Sequence, residues 1–390
     1  VVMPANIVVI CLDTVRKDSF EEHAHSLKQM ADANYGQCRA SSCWSTPSHA
    51  SMLTGILPHR HGLSTYQRDF TALKRNETVL SDLDGYATYG VSANEFAGPA
   101  FGFDHLFDEF ASVSPRKRFA GGLDPLGYTR DGRSFLRDSA AFLRAALGDN
   151  HPLQSLANGG VGAVKKFTPR LGASDPFDAG ASSALRYARR FLTRESDPSF
   201  LFVNLMDAHL PLQKHRGMDG VEELPSAWST VPWDTWELMG EETGFEEYWK
   251  NRRTLYAAAI RYLDRVVAEF VQNVQAETKR ETVVLLTADH GENLGLPEEE
   301  YLVNHTSSLS EGLLHVPLTV ITEGETTIET PAERYVSHLA LPEIVRGAAE
   351  GSIPDVSDDR AVAEVLGRGP TPEPPENPAF WNRTIRCAYE

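Results

Sequence analysis

Five short apolar runs punctuate the 390-residue chain. Residues 6–12, 86–93, 199–205, 282–288 and 316–321 are rich in β-branched residues, and most lack the polar alternation of a half-exposed strand. Such runs suit strands buried on both faces, as in a parallel sheet. Between them apolar positions recur at helical spacing over 20–33, 78–84, 134–147, 179–194, 244–277 and 334–349. In the longest of these, Tyr256, Ile260, Leu263 and Val267 share one face. A short strand is read at 35–40 and an aromatic-rich loop at Phe101–Phe110. Alternating strands and helices predict an α/β fold: a doubly wound, mostly parallel sheet flanked by helices. Residues 1–330 read as the main domain. Over 112–176 the pattern loosens into Gly, Pro, Arg and Lys, as in an insertion or lid. Residues 218–242 read as a Pro- and Trp-containing loop. Residues 331–390 read as a small, incomplete C-terminal α+β subdomain, with a Pro- and acid-rich segment at 352–379 and a strand-like end at 384–387.

Polar clusters stand at the carboxyl ends of these strands: Asp13, Asn94, Asp207-Ala208-His209 and Asp289-His290-Gly291-Glu292. In open α/β sheets, ligands bind outside those ends. Asp13 there reads equally as a metal ligand and as the cap of a following helix. His209 alone reads more readily as a loop histidine than as a site residue. Asp289-His290 pairs a hard oxygen ligand with an imidazole, and Gly291 lets the backbone turn. Lys165-Lys166 reads as a solvated surface pair before it reads as an attractor of anions.

The stretch 41–62 has the form of a nucleophile at a helix start. Ser45 and Thr46 precede Pro47, which suits a first helical turn. Ser45 or Thr46 is expected to cap the helix, and Gly55 to end it. A hydroxyl at that terminus sits where free N–H groups favour an anion such as a sulfate or phosphate ester. Taken alone, Ser/Thr-Pro before a short helix is more often just a cap.

The net charge of −17 argues against nucleic acid, whose phosphates need a basic face. No apolar run is long enough to span a membrane. Cys11, Cys38, Cys43 and Cys387 lack metal-ligand spacing and read as free thiols of a reducing compartment, with a Cys38–Cys43 bridge as the lesser alternative. With no leader sequence in the chain, the expected location is cytoplasmic, a secreted form whose leader has been removed being the alternative. Few lysines on an acidic chain suit a high-salt organism, a high-GC genome or an ordinary acidic surface alike.

Taken in order, these clusters resemble the sulfatase family of the alkaline phosphatase superfamily. The resemblance is carried by residues 6–16, by Ser45-Thr46-Pro47-Ser48-His49 through Gly55, by Asp207-Ala208-His209-Leu210-Pro211 and by Thr287-Ala288-Asp289-His290-Gly291-Glu292. It continues through Glu311–Leu318 and Val336-Ser337-His338-Leu339. It implies an alkaline phosphatase-like fold and a metal-dependent hydrolase of sulfate or phosphate esters, taking a small-molecule or glycan ester. Asp13, Asp289 and His290 fall on metal-binding positions, with Ser45 as nucleophile and fourth ligand. One divalent cation is implied (Ca²⁺, Mg²⁺ or Mn²⁺, with Zn²⁺ compatible). His209 and His305 fall where substrate or leaving-group residues stand, and His49, Asn94 and Thr46 are expected to touch the ester. There are three departures from the family pattern. His49 replaces the arginine of Cys/Ser-x-Pro-x-Arg, which predicts an unmodified Ser45 rather than formylglycine. Thr14 stands where many sulfatases carry a second aspartate. Val91-Ser92-Ala93-Asn94 replaces Gly-Lys-Trp-His, so a lysine and a histidine that neutralise sulfate are missing. Two alternatives follow: a phosphoethanolamine- or phosphoglycerol-type transferase, and a non-catalytic binding protein with this fold.

Overall fold

The structure is a computed structural model describing residues 3–128, 135–194, 197–231, 233–239, 244–305, 308–369, 374 and 376–390. Its centre is a seven-stranded sheet. The strands are β1 (Asn6–Leu12), β2 (Ala33–Asn34), β3 (Ala87–Ser92), β4 (Glu109–Ser112), β5 (Ser199–Leu205), β6 (Thr282–Thr287) and β7 (Leu318–Ile321). They lie in the order β2-β7-β6-β1-β5-β3-β4. All pairings among β6, β1, β5, β3 and β4 are parallel, whereas β7 runs antiparallel to β6 and to β2. Every residue of β1, β5 and β6 is buried, which is why these strands read as continuous apolar runs. The doubly wound, mostly parallel sheet expected from sequence is the fold observed.

The major helices are α1 (Ser45–Thr54), α2 (Phe135–Leu147), α3 (Pro152–Phe167), α4 (Ala181–Arg194), α5 (Glu246–Glu277) and α6 (Leu341–Glu350). Helices α4 and α5 pack on each other, α4 on β5 and α5 on β6, while α6 packs on α1 and β1. Helices α2 and α3 form a hairpin that fills most of the predicted insertion, and α3 was not foreseen. Its run of Asn158, Gly159, Gly160 and Gly162 hides the helical period.

Four local expectations are corrected. The helix expected at 20–33 is two short helices, Lys17–His23 and His25–Met30. The one at 78–84 is a single tight turn, Val79–Ser81. Residues 334–349 divide into a strand, Tyr335–Ser337, and helix α6. A boundary at 331 does not separate the packing. Tyr335–Ser337 pairs with Gln37–Arg39, and Leu341, Ile344 and Val345 lie in the main core. The tail segment carries a strand, β8 (Ala361–Leu366), paired antiparallel with β9 (Thr384–Tyr389). Residue 134 of the expected helix and parts of 218–242 and 352–379 lie outside the described residues. All four cysteines are free.

Candidate active site

Strands β1, β5 and β6 are neighbours at the centre of the sheet, so their carboxyl ends deliver Asp13, Asp207-Ala208-His209 and Asp289-His290 to one edge. The Asp13 N–H still donates to the Leu205 carbonyl at 3.0 Å, carrying sheet register as far as the carboxylate. The chain then turns sharply: Thr14 has φ +62°, in the left-handed region. The buried Tyr256 hydroxyl holds this turn. It donates to the Thr14 carbonyl at 2.7 Å and accepts from the Arg16 N–H at 3.0 Å.

Helix α1 brings Ser45 to the same edge. Ser45 is its first residue, and the capping position belongs to Trp44, whose side chain makes no cap bond. The cap expected from Ser45 or Thr46 is therefore absent, and the Ser45 hydroxyl is left for the site. Gly55 ends the helix at φ +72°, and a Cβ there would lie 3.0 Å from the Leu339 carbonyl. Glycine thus meets both the conformational and the spatial demand.

The ligand atoms of Asp13, Asp289 and His290 lie within 4.8 Å of one another, and all three residues are buried. Asp13 Oδ1, Asp289 Oδ2 and His290 Nε2 have no hydrogen-bond partner. The opposite atom of each side chain is held. Asp13 Oδ2 accepts from Asn94 at 2.7 Å and from Asn204 at 3.1 Å. Asp289 Oδ1 accepts the N–H groups of Thr14 at 3.2 Å and His290 at 3.0 Å. His290 Nδ1–H donates to the Gly291 carbonyl at 2.8 Å, leaving the Nε2 lone pair forward. Orphaned donor atoms in front and anchored atoms behind are the pattern of a cation site with its supporting shell. Burial, then the charge of Asp289, pushes the Asp13 carboxyl up. Burial also opposes ionisation of Asp289, but His290, His49, the Ser45 hydroxyl and the Thr14 N–H outweigh it and hold that carboxyl down. Two buried carboxylates this close do not both ionise unless a cation lies between them. Two carboxylates, an imidazole and a hydroxyl fit a divalent cation. A second trio, Cys11, His49 and Asp289, is equally close. It fits poorly, because burial and the two aspartates keep the Cys11 thiol protonated and His49 has no nitrogen to spare.

His209 and His305 lie beside the cluster. The His209 Nδ1–H is tied to the Leu210 carbonyl, and its Nε2 lies 4.0 Å from Asp13 Oδ1. The ring centroid of His305 is 5.3 Å from that of His209 and 4.8 Å from that of His290. Thr46 is buried beside Ser45. The expectation of substrate contact is corrected for two residues. Asn94 spends its amide on Asp13, on Ser45 Oγ at 3.1 Å and on the Phe96 N–H at 2.8 Å. His49 lies fully buried, with Nδ1 on the Ser45 carbonyl at 2.6 Å and Nε2 accepting from Asn204 at 3.1 Å. Both hold Ser45 from behind.

Sequence reasoning gave no role to Glu292, Asn204 or Arg252. Glu292 Oε1 lies 3.5 Å from His305 Nδ1, and Oε2 lies 4.0 Å from the Arg252 guanidinium. Burial would raise the Glu292 carboxyl, but His305 and Arg252 hold it below its usual range. The signal was present in Asp289-His290-Gly291-Glu292, where a fourth polar residue follows the strand end. Asn204 sits inside the apolar run of β5, a polar residue that a buried strand does not otherwise need.

Comparison with known proteins places this geometry in context. The sulfatase family model matches residues 5–351. No curated protein matches the chain significantly. Among solved structures, the chain is similar to the phosphonate monoester hydrolase of Agrobacterium radiobacter, with 14% identity, TM-score 0.58 and coverage of 99% of this chain and 86% of that one. It is also similar to the C-terminal periplasmic domain of EptC from Escherichia coli, with 12% identity, TM-score 0.57 and coverage of 98% and 92%. A third likeness is to Ps i-CgsB in complex with a neocarrahexaose, with 15% identity, TM-score 0.52 and coverage of 90% and 73%.

Proposed function

Because the chain belongs to the sulfatase family, we propose that it is a metal-dependent hydrolase that cleaves phosphate-type esters through Ser45. One observation carries the reading: Asp13 Oδ1, Asp289 Oδ2 and His290 Nε2 are buried, clustered and without a hydrogen-bond partner, beside a serine at a helix N-terminus. The degraded-site alternative is disfavoured by the same completeness. No helix among the described residues is long and apolar enough to cross a membrane.

Asp13, Asp289, His290 and Ser45 would hold one divalent cation. When bound, it supplies a Lewis acid beside the nucleophile and the ester. Ser45, its hydroxyl proton given up to solvent, attacks as the alkoxide: Oγ forms the bond to phosphorus as the bond to the leaving oxygen breaks, and it leaves again as the alkoxide in the second step. His305 gives that oxygen its proton, with Glu292 beside Nδ1 orienting the ring and balancing its charge. Water then attacks the seryl ester, the imidazole takes its proton, and Ser45 departs. His209 is kept neutral by burial. With Nδ1–H committed to Leu210, it presents Nε2 as an acceptor.

Phosphorus is favoured over sulfur because the lysine and arginine of the sulfatase pattern are missing. His49 stands in place of the arginine and Asn94 in place of the histidine that follows the lysine in Gly-Lys-Trp-His, and both are committed to Asp13, Asn204 and Ser45. A phosphonate monoester hydrolase among the similar structures supports this direction; EptC and the other phosphoethanolamine transferases share the phosphorus chemistry but support the transferase alternative. The test is metal-dependent turnover of matched aryl phosphate, aryl phosphonate, diaryl phosphate and aryl sulfate esters, with Ser45→Ala alongside. Phosphorus ester turnover lost in Ser45→Ala supports the proposal. Turnover of the sulfate alone, or mass spectrometry showing Ser45 two hydrogens lighter, would return the chain to sulfate chemistry. Transfer to an added alcohol in place of water would indicate the transferase.

A further inference from the structure

The insertion at 112–176 differs from the rest of the molecule in two independent ways. It carries ten Lys and Arg residues against five Asp, although the whole chain has a net charge of −17. It also holds eight of the thirteen exposed large hydrophobic residues found among the described residues. Leu143 and Leu147, four apart on α2, share a face, and so do Leu153 and Val164, eleven apart on α3. Leu147 is 69% and Leu153 82% exposed. Of these exposed residues, Leu126 and Leu143 line a cavity between the two helices.

Between α2 and α3 lies a mostly apolar cavity of about 470 Å³, walled by Leu126, Phe142, Leu143, Leu156 and Ala163. The glycines of α3 give it room: a Cβ added to Gly160 would meet nothing within 4 Å. A second cavity of about 280 Å³ adjoins it and is lined by His209, Met206, Leu210 and His215. Arg116 and Leu126 line both. Arg116 makes no side-chain hydrogen bond or ion pair among the described residues, while Lys165, read from sequence as solvated, is half of a buried pair with Asp175 at 2.5 Å. His215 Nε2 is buried and unpartnered in the smaller cavity. The cavity at His209 thus adjoins, across Arg116 and Leu126, the apolar cavity between α2 and α3.

We propose that the substrate is an amphiphile: its leaving group passes His209 and Arg116 and lays an apolar tail in the cavity between α2 and α3. This rests on the proposed catalytic role of Ser45. The occupant is argued from continuity, since the two cavities share walls and the smaller one ends on a site histidine.

The test uses 4-methyl-, 4-butyl- and 4-octylphenyl phosphate with the full-length protein and its cation, at concentrations below aggregation, following released phosphate. These phenols differ little in acidity, so intrinsic reactivity stays level along the series. Each added methylene that enters the cavity should raise kcat/KM by about two- to fourfold, or at least about a hundredfold from methyl to octyl. Gly160→Leu, which puts a good helix former into the open space, should cut that gain below about tenfold. A flat series in the unaltered protein, or a gain that survives Gly160→Leu, overturns the proposal. Calorimetric binding of 4-octylphenol to both forms separates the two ideas. Binding lost in Gly160→Leu, with no turnover of any ester, sinks the catalytic reading and leaves the cavity's occupant standing.

Discussion

Asn94 donates its amide both to Asp13 Oδ2, at 2.7 Å, and to the Ser45 hydroxyl oxygen, at 3.1 Å. One side chain therefore fixes the distance between the Asp13 carboxylate and Ser45, the proposed nucleophile. Asn94→Ala removes that tie without adding bulk or charge. It should lower kcat by about a hundredfold, the scale of an ångström-sized misplacement, with a small change in KM. Steady-state kinetics on an aryl phosphate check this; an unchanged kcat would mean that Asn94 positions nothing.

The Asp13–Asp289 pair makes cation binding and stability depend on pH. Asp13 is pushed up to about 7, first by burial and then by Asp289. In the metal-free protein, the folded state holds a proton between the ordinary carboxylate range and about pH 7 that the unfolded state has released. Stability from this group is therefore present at low pH and lost as pH rises through that window, by at most about 1.4 kcal/mol per pH unit. Asp13→Asn should remove this component, visible as a difference in Tm-versus-pH slopes between the two metal-free proteins. Cation binding should release the proton and weaken as pH falls below neutral. Calorimetry in buffers of different ionisation enthalpy reads the release directly.

Glu292 stands 3.5 Å from His305 Nδ1 and is buried with Arg252 on its other side. If Glu292 positions the proton donor, Glu292→Gln should cost little with leaving groups that depart unprotonated. With poor ones it should cost about 10²-fold, the low end for general acid catalysis. The readout is the slope of log kcat/KM against leaving-group acidity, which should steepen. A uniform loss across the series would point to a merely structural carboxylate, because removing one partner of a buried pair also destabilises.

Where local chemistry set local structure, the sequence was legible. The apolar runs at 6–12, 199–205 and 282–288 became β1, β5 and β6, because strands buried on both faces tolerate few polar residues. Asp13, Asp289 and His290 were candidates because they lie at those strands' ends, and the fold brings their side chains within 4.8 Å of one another. What was not legible depended on packing at long range. His49 has the sequence position of an anion-binding arginine, and only the fold reveals that Asn204, 155 residues away, occupies its Nε2. Asn94 was misread for the same reason, since its partners come from β1 and α1. Helix α3 escaped notice because its apolar face is interrupted by the glycines that open the cavity.

Tyr256 joins this long-range packing to the chemistry. It lies on α5, fully buried, and its hydroxyl bridges the Thr14 carbonyl and the Arg16 N–H across the left-handed turn after Asp13. Tyr256→Phe leaves ring packing intact and strands two buried backbone groups. The expected cost is about 1–3 kcal/mol of folding stability, measured by denaturant unfolding at constant m-value. Relaxation of Thr14 should also release its N–H from Asp289 Oδ1, held at 3.2 Å. Cation affinity should then fall by about tenfold or more, as when other outer-shell partners of metal ligands are removed. Lost stability with unchanged cation affinity would confine Tyr256 to the scaffold. Loss of both would make α5 part of the apparatus that holds the two aspartates in register.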